Sequence, residues 1–302
     1  MKINSAAAVI TTLLLGTLIL VNLAIADIVT KTVPLDDVKR IQLFGEHELY
    51  FTQGDDEFVK VTATRKLLPK IVAEIHGDTL ILKSENSGWN LFNFDSHARF
   101  DVQLKDIRSM HLMGSGYVEV ADLTIDDLSI KRSGSGDLLF AKINAERVKI
   151  EVSGSGDING TSLNAADLDL HVSGSAEIRV EQLLVDNTID SNIAGSGTVS
   201  VDELAADKLE VDIAGSGEFV VDGKGKVRHQ EINITRSGGF MGARLISETA
   251  RLDIAGSGNA DIHVNDELSV DLTGSSDVNV SGNPTIDSNI SGSGEIRLNP
   301  SH

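Results

Sequence analysis

A Gly-Ser-Gly motif that returns about every 20 residues constrains this sequence more than any other feature. The ten copies follow one another at intervals of 18 to 23 residues. A repeat this short cannot bury its own apolar face, so neighbouring repeats must stack to form a continuous core. Seven copies are complete and begin at Gly114, Gly134, Gly154, Gly195, Gly215, Gly256 and Gly292, while degraded copies begin at Gly174, Gly238 and Gly274.

Strands are predicted on both sides of each motif. Before Gly154, the apolar residues Val148, Ile150 and Val152 alternate with polar ones. In most copies, apolar residues return four and six positions after the glycine. Alternation with period two is the signature of a strand with one buried face. Each repeat is therefore predicted to hold a strand, a glycine corner and a second strand.

Two architectures fit this pattern, a stack of parallel coils and a meander of antiparallel hairpins. The repeat changes length only between the motifs, as at residues 221–226. A meander needs a second tight turn in every repeat, and no Asn-Gly or Asp-Gly signal recurs there, whereas a solenoid accepts insertions. We predict an all-β right-handed parallel β-helix with about ten coils at 101–302, and an N-terminal β cap or irregular first coils at 27–100.

The N-terminal segment has the pattern of a secretory signal peptide. Lys2 precedes an apolar run at residues 6–23, which ends in Ala24-Ile25-Ala26, the expected order of a basic tip, an apolar centre and a small-residue cleavage site. An uncleaved membrane anchor is the alternative, because the run approaches the ~20 residues that span a bilayer. We predict a signal peptide at 1–26, no membrane span after its cleavage, and export to the periplasm or the bacterial cell surface.

The charge balance limits the class of partner. Without residues 1–26 the chain loses only Lys2 from its charged groups, which leaves 25 basic and 45 acidic residues and a net charge of −20. Nucleic acids and anionic lipids require clustered Lys and Arg, so no nucleic-acid partner is predicted. The chain has no cysteine, which excludes disulfides and thiolate metal sites.

A row of acidic residues lies three positions after the motif glycine. Stacked coils would bring Asp137, Asp157 and Glu177 close enough to share Ca²⁺, because carboxylate oxygens are its usual ligands. Like charges at such distances in water repel by only ~1 kcal/mol, so a solvated acidic edge without an ion is the simpler interpretation. No other cofactor is predicted.

A cluster of aromatic residues interrupts the strand pattern between the predicted cap and the repeats. Trp89, Phe92 and Phe94 follow Asn86-Ser87-Gly88, a composition typical of a loop. Aromatic residues on loops often bind ligands. These three residues are therefore a candidate ligand-binding site. The alternative is that the rings cover the end or side of the core.

The sequence holds no recognisable catalytic motif. Its histidines are scattered, no Gly-x-Ser-x-Gly elbow is present, and 223–226 lacks the spacing of a phosphate-binding loop. We predict a non-enzymatic binding or scaffold protein of the bacterial envelope, with a polysaccharide or an envelope protein as partner. The alternative is a polysaccharide-acting lyase or glycosidase, which would need a deep side groove lined by paired acids with a basic residue.

Several segments together resemble a known family. These are residues 44–55, 59–61 and 77–82, followed by the Gly-Ser-Gly ladder. Over residues 35–298 the chain resembles the autotransporter adhesin head domain, also called the GIN domain. The resemblance implies a β-helical domain of a bacterial envelope protein with an adhesin-like role. It implies no catalytic residues.

Overall fold

The protein is almost entirely β-strand. A computed structural model describes residues 27–85 and 97–299, so the predicted signal peptide lies outside the described residues. A short 3-10 helix spans Leu68–Lys70. The strands are β1 Ile28–Pro34, β2 Arg40–Gly45, β3 Glu48–Gln53, β4 Phe58–Thr64, β5 Ile71–His76, β6 Thr79–Ser84, β7 Arg99–Leu104, β8 Ser109–Gly114, β9 Tyr117–Val120, β10 Leu123–Thr124, β11 Asp127–Gly134, β12 Leu138–Gly154, β13 Ile158–Gly174, β14 Glu177–Gly195, β15 Thr198–Ala205, β16 Lys208–Gly215, β17 Glu218–Lys226, β18 His229–Arg236, β19 Gly239–Gly256, β20 Asn259–Gly274, β21 Asp277–Gly282, β22 Thr285–Gly292 and β23 Glu295–Asn299.

Successive repeats stack as parallel coils. From β8 to β23, each turn of the chain pairs in parallel with the turn before it. Ile130, Ile150 and Leu170 lie in register on adjacent coils, and all three are buried. The predicted parallel β-helix is confirmed. The antiparallel meander is wrong, because the antiparallel pairs of the described residues are confined to β1, β4, β5, β6 and β7.

The first coils do not follow the order of the sequence. β2 and β3 stack on β8 and β9, with Gly45 in register with Gly114. β6 and β7 come later in the chain than β2 and β3, yet they pair with the opposite edges of those strands. They therefore form the terminal coil. Antiparallel β5 and β4 cover the outer edges of β6 and β7, and β1 pairs with β4, which protects edges that would otherwise be open to pairing.

The glycine corners satisfy two conditions that only glycine meets easily. Gly154 has a φ of +129°, a conformation that strains any residue with a Cβ atom. A Cβ at this position would also lie 2.2 Å from the carbonyl oxygen of Gly134 in the coil before. The motif recurs because each corner lies directly over another one.

One corner differs from the prediction. Gly238 is not the corner of its coil, because Arg236 pairs with both Gly215 and Gly256. Arg236 is exposed and has a φ of +88°, so it occupies the glycine conformation with a side chain present. The motif copy is therefore Arg236-Ser237-Gly238, two residues earlier than the glycine pattern indicates, and Arg236 does not point inward.

Arg132 is the largest fully buried side chain, and it is only 1% exposed. It lies in register with Leu112 and Val152, in a row of aliphatic residues. Its guanidinium donates hydrogen bonds to four backbone carbonyls: Gly136 (Nε to O, 2.9 Å), Gly114 (3.3 Å), Leu112 (3.4 Å) and Ser133 (3.5 Å). Burial lowers the pKa of Arg132, against the attraction of Asp137. The polar end of the side chain is thus satisfied by the corner backbone.

A ladder of polar side chains runs along a second corner of the coils. Gln53 bonds to the backbone of Thr124 at 2.9 Å, both as donor and as acceptor. In the next coils, the Asn144 amide donates to Thr124 Oγ1 (3.4 Å), and the Asn164 amide donates to Asn144 Oδ1 (2.8 Å). The ladder ends there, because Asn164 Oδ1 is buried without a partner and Leu184 occupies the next position in register.

We expect the substitution Leu184→Asn to extend this ladder. The new amide can donate to Asn164 Oδ1, so the free energy of unfolding should rise by about 0.5–1 kcal/mol. Urea denaturation measures the change. Ile246→Asn is the matched control, because Ile246 is similarly exposed (40% against 42%) but follows Lys226 in register. Equal effects of the two substitutions would contradict the prediction.

Candidate functional site

The outward side chains of the strands that follow the corners form a flat surface at the N-terminal end of the stack. β7, β3, β9 and β12 contribute to it in that order. We call this surface the tyrosine face, because it contains the only two tyrosines of the chain. Its outward residues are Arg99 and Asp101 on β7, Glu48 and Tyr50 on β3, Tyr117 and Glu119 on β9, and Asp137 and Leu139 in the coil that contains β12.

The two tyrosines form the centre of this face. Their ring centroids are 6.1 Å apart and the ring planes are inclined by 54°. Both side chains are half-buried. Each hydroxyl donates to a carboxylate of its own strand, Tyr50 to Glu48 at 3.4 Å and Tyr117 to Glu119 at 3.2 Å. The pairs hold both rings in place on the sheet.

Arg99 covers one tyrosine ring. Its guanidinium carbon lies 3.8 Å from the centroid of the Tyr50 ring, a cation–π contact. The same guanidinium donates to Asp101 Oδ1 at 2.6 and 2.8 Å. Hydrogen bonding to Asp101 raises the pKa of Arg99. Tyr117 carries no such cover in the described residues, so its ring is the better candidate for contact with a ligand.

The electrostatics keep the phenols protonated. Partial burial, followed by the neighbouring carboxylates, raises the pKa of Tyr50 and of Tyr117. At neutral pH the face therefore offers aromatic surface together with phenol oxygens and carboxylates that accept hydrogen bonds. Tyrosine supplies a large, rigid contact area at low entropic cost. This combination suits binding to hydroxyl-rich molecules that also have apolar faces.

The acidic row continues along the same side of the stack with a backbone role that the sequence did not reveal. Asp137 Oδ1 accepts the N–H of Asp157 at 3.2 Å, and Asp157 Oδ1 accepts the N–H of Glu177 at 3.0 Å. In most later coils the equivalent N–H binds a corner carbonyl, as from Glu218 to Gly197 (3.0 Å), whereas the N–H of Asp277 donates to Asn259 Oδ1 (3.4 Å). Each of these two aspartates therefore replaces a backbone acceptor.

The structure does not bring these acids together as an ion site. Within residues 27–85 and 97–299, no three acidic or histidine side chains converge as metal ligands. One oxygen of Asp137 and one of Asp157 are already engaged with the backbone. Calcium binding by Asp137, Asp157 and Glu177 stays a prediction, and a calcium titration followed by calorimetry tests it.

The predicted aromatic site, Trp89, Phe92 and Phe94, lies outside the described residues. The described chain on its C-terminal side leads through His97 and Ala98 directly into Arg99 of the tyrosine face. Sequence analysis did not single out Tyr50, Tyr117 or Arg99 as candidates. The sequence did contain a signal for the tyrosines, because both occupy the polar side of an alternating strand. However, Gly45 is not followed by Ser-Gly, so its coil was not aligned with the other repeats.

His47 links the described residues that lie on either side of residues 86–96, Ser84 and Ala98. It is 3% exposed. Its Nδ1 accepts the Ala98 N–H at 3.2 Å, which leaves Nε2–H to donate to Ser84 Oγ at 3.0 Å. The ring also packs edge-on against Phe100 at 5.5 Å. Burial, with a smaller effect of His97 and against the attraction of Glu46, lowers the pKa of His47 to about 4.

We expect acid to destabilise the fold through His47. Because its pKa falls from 6.5 in the unfolded chain to about 4 in the fold, stability is complete above pH 6.5 and is lost as the pH falls towards 4. The loss is about 2 kcal/mol at pH 5. Protonation of Nδ1 would break the bond from Ala98. Urea denaturation at pH 7.5 and pH 5 measures the loss of stability. In the His47→Gln variant, this loss should be smaller by the part that His47 contributes. An unchanged pH dependence in the variant would contradict the prediction.

Two cavities of the described residues are open to solvent. One, about 570 Å³, is bordered by Asp37, Asp55 and Lys105 near the N-terminal end, and another, about 370 Å³, lies beside Leu184. The side chains of Asp37 and Asp55 are 86% and 94% exposed. A glycosidase encloses its paired acids in a cleft around the substrate, whereas these two side chains are open to solvent. None of the described residues forms a helix that could cross a bilayer.

Comparison with known proteins agrees with the fold. A structure from Parabacteroides distasonis, described as a putative lipid binding protein, has a TM-score of 0.53 and 19% identity over 90% of this chain and 96% of that one. Another from the same organism, described as a putative adhesin, has a TM-score of 0.54 and 18% identity over 90% and 97%. These identities support the fold alone. No curated protein matches the chain.

The family comparison covers most of the sequence. The family described as "Putative auto-transporter adhesin, head GIN domain" matches residues 37–202 and 168–284. The two matches overlap and together include the first coils, the tyrosine face and all but the last coil. The chain therefore belongs to the GIN-domain family of adhesin-like head domains.

Proposed function

We propose that this protein is an exported, non-enzymatic binding protein of the bacterial envelope, and that its tyrosine face binds a polysaccharide. The observation that carries the proposal is the pairing of Tyr50 and Tyr117 on a flat strand surface between carboxylates. Sugar rings present C–H faces that pack on aromatic rings, and hydroxyls that pair with carboxylates and phenols. The family membership supports an adhesin-like role.

Charge and dimensions narrow the ligand. The net charge of −19 disfavours acidic polysaccharides, so the proposed ligand is neutral. Four stacked strands, from β7 to β12, extend over about 14 Å at the usual strand spacing, which is the length of a short oligosaccharide. An extended chain lying across the strands would contact the Tyr117 ring and then the Arg99 guanidinium that covers Tyr50.

A glycan array probed with residues 27–302 tests the proposal, followed by calorimetry with the best neutral glycan. Tyr117→Ala should weaken binding about tenfold, which corresponds to the loss of ~1.4 kcal/mol of contact. Tyr117→Phe should retain most of the affinity, because the ring remains. Ile246→Ala, an exposed residue outside the face, is the matched control and should bind as the unmodified protein does.

Two results would contradict the proposal. One is the absence of any neutral glycan ligand, and the other is binding that Tyr117→Ala leaves unchanged. The enzymatic alternative has its own measurement, the appearance of new reducing ends or unsaturated sugars when the protein is incubated with the bound polysaccharide. Cleavage would show that the non-enzymatic part of the proposal is wrong.

A further inference from the structure

The C-terminal end of the described stack, at β22 and β23, is open. Among the described residues, β22 pairs only with β20 and β23 only with β21. The N-terminal end differs, because β4 and β5 cover β7 and β6. The last coil therefore presents two strand edges with unpaired backbone groups, and such edges are templates for pairing with another chain.

Apolar side chains accompany these edges. Ile290 and Leu298 occupy inward positions, in register with the buried Leu272 and Val280, but they are 43% and 61% exposed. In an interior coil the next turn would cover them. Within residues 27–85 and 97–299, the last coil thus lacks both the hydrogen bonds and the apolar contacts that an interior coil receives from its successor.

We propose that a second copy of this chain covers this end, in a two-fold symmetric dimer joined at the last Gly-Ser-Gly corner. With the axis passing between Ser293 of the two copies, β22 of each copy runs antiparallel to the partner's β23. Because the chain rises along the axis of the stack, β22 lies slightly below the level of the corner and β23 lies the same distance above it. The two-fold operation pairs β22 of one copy with β23 of the other, so the distance between the paired strands is the same at both places.

The residues that this register brings together are compatible. Ile290 lies opposite the partner's Ile296, both on the inward side of their strands. On the outward side, Asn289 lies opposite the partner's Arg297, and Asp287 is diagonal to it. No two like charges are directly opposite, which would destabilise the pairing. An isologous contact of this kind closes on itself, so it produces a dimer and not a fibre.

Sedimentation velocity on residues 27–302, from low to high micromolar concentration, tests the proposal. We expect a reversible monomer–dimer equilibrium and an elongated dimer. Ile290→Asp should raise the dimer dissociation constant about tenfold or more, because it places a charge in the contact. Ile28→Asp is the matched control, since Ile28 is an exposed apolar residue (66%) at the other end, and it should dimerise normally.

A cysteine cross-link provides a second measurement that does not depend on the stability of the last coil. Ser293→Cys places one thiol of each copy beside the axis in a chain that has no cysteine of its own, so mild oxidation should give a covalent dimer. Ser216→Cys, at the exposed corner of an interior coil, should not. A monomer at every concentration, a dimer unaffected by Ile290→Asp, or equal cross-linking of both cysteines would overturn the proposal.

Discussion

Replacing Gly154 by alanine is expected to lower the free energy of unfolding by about 3–5 kcal/mol. The alanine would need a φ near +129°, and its Cβ would lie 2.2 Å from the Gly134 carbonyl oxygen. That oxygen belongs to the backbone of a packed coil and also accepts the N–H of Ser155 at 3.1 Å. The coil cannot move aside without loss of its own pairing. Thermal and urea denaturation measure the effect.

The corner at Arg236 supplies the reverse experiment. Because Arg236 already holds a φ of +88° with a side chain, Arg236→Gly should relieve strain and stabilise the protein by about 1 kcal/mol. The opposite signs of Gly154→Ala and Arg236→Gly follow from one cause, the conformation of the corner. A neutral effect of Gly154→Ala would show that the corners tolerate a Cβ and that the explanation of the motif is wrong.

Truncation of Arg132 is expected to cost about as much, about 3–5 kcal/mol for Arg132→Ala. The substitution would leave a cavity inside the stack and would remove hydrogen bonds to the carbonyls of Gly136, Gly114 and Leu112. Arg132→Leu should recover most of the loss. It refills the space with the residue found at this position in the coil before, Leu112, and it removes the cost of desolvating a charge.

The comparison between the two variants separates packing from polarity. If Arg132→Leu is as destabilising as Arg132→Ala, the hydrogen bonds to the corner carbonyls are the dominant contribution. If both variants match the unmodified protein, Arg132 contributes nothing to stability, and the structural interpretation fails. Far-UV circular dichroism on each variant confirms that the coils remain folded before the denaturation curves are compared.

The repeat region was predictable because local and global signals coincide there. Alternation around Gly154 and its equivalents specifies which face is buried, and the recurring glycine specifies which residues stack. The prediction failed at Arg236 because the adjacent Gly238-Gly239 imitates the motif, whereas the structure shows that conformation and not residue type defines the corner. The sequence alone does not show that Arg236 pairs with Gly215, and this pairing identifies Arg236 as the corner.

The site was less predictable than the fold. The tyrosine face depends on β7 lying beside β3, although Glu48 and Arg99 are distant in sequence. No periodic signal encodes that neighbour relation. The backbone role of Asp137 was equally unpredictable. An acidic residue three positions after a glycine gives the same sequence pattern whether its carboxylate binds an ion or accepts a backbone N–H.

The displaced order of the first coils affects how the chain can fold as it emerges from the ribosome. β2 and β3 lie between two coils, and the one on their outer side is completed only when Leu104 has appeared. Until then, the residues synthesised first form only part of the surface on which the next coil stacks. Thereafter each new coil needs only its own 18 to 21 residues to add to the stack, because solenoids grow by nearest-neighbour contacts. Folding should therefore show one slow initiation, dominated by long-range loop closure, followed by rapid stepwise growth towards the C terminus.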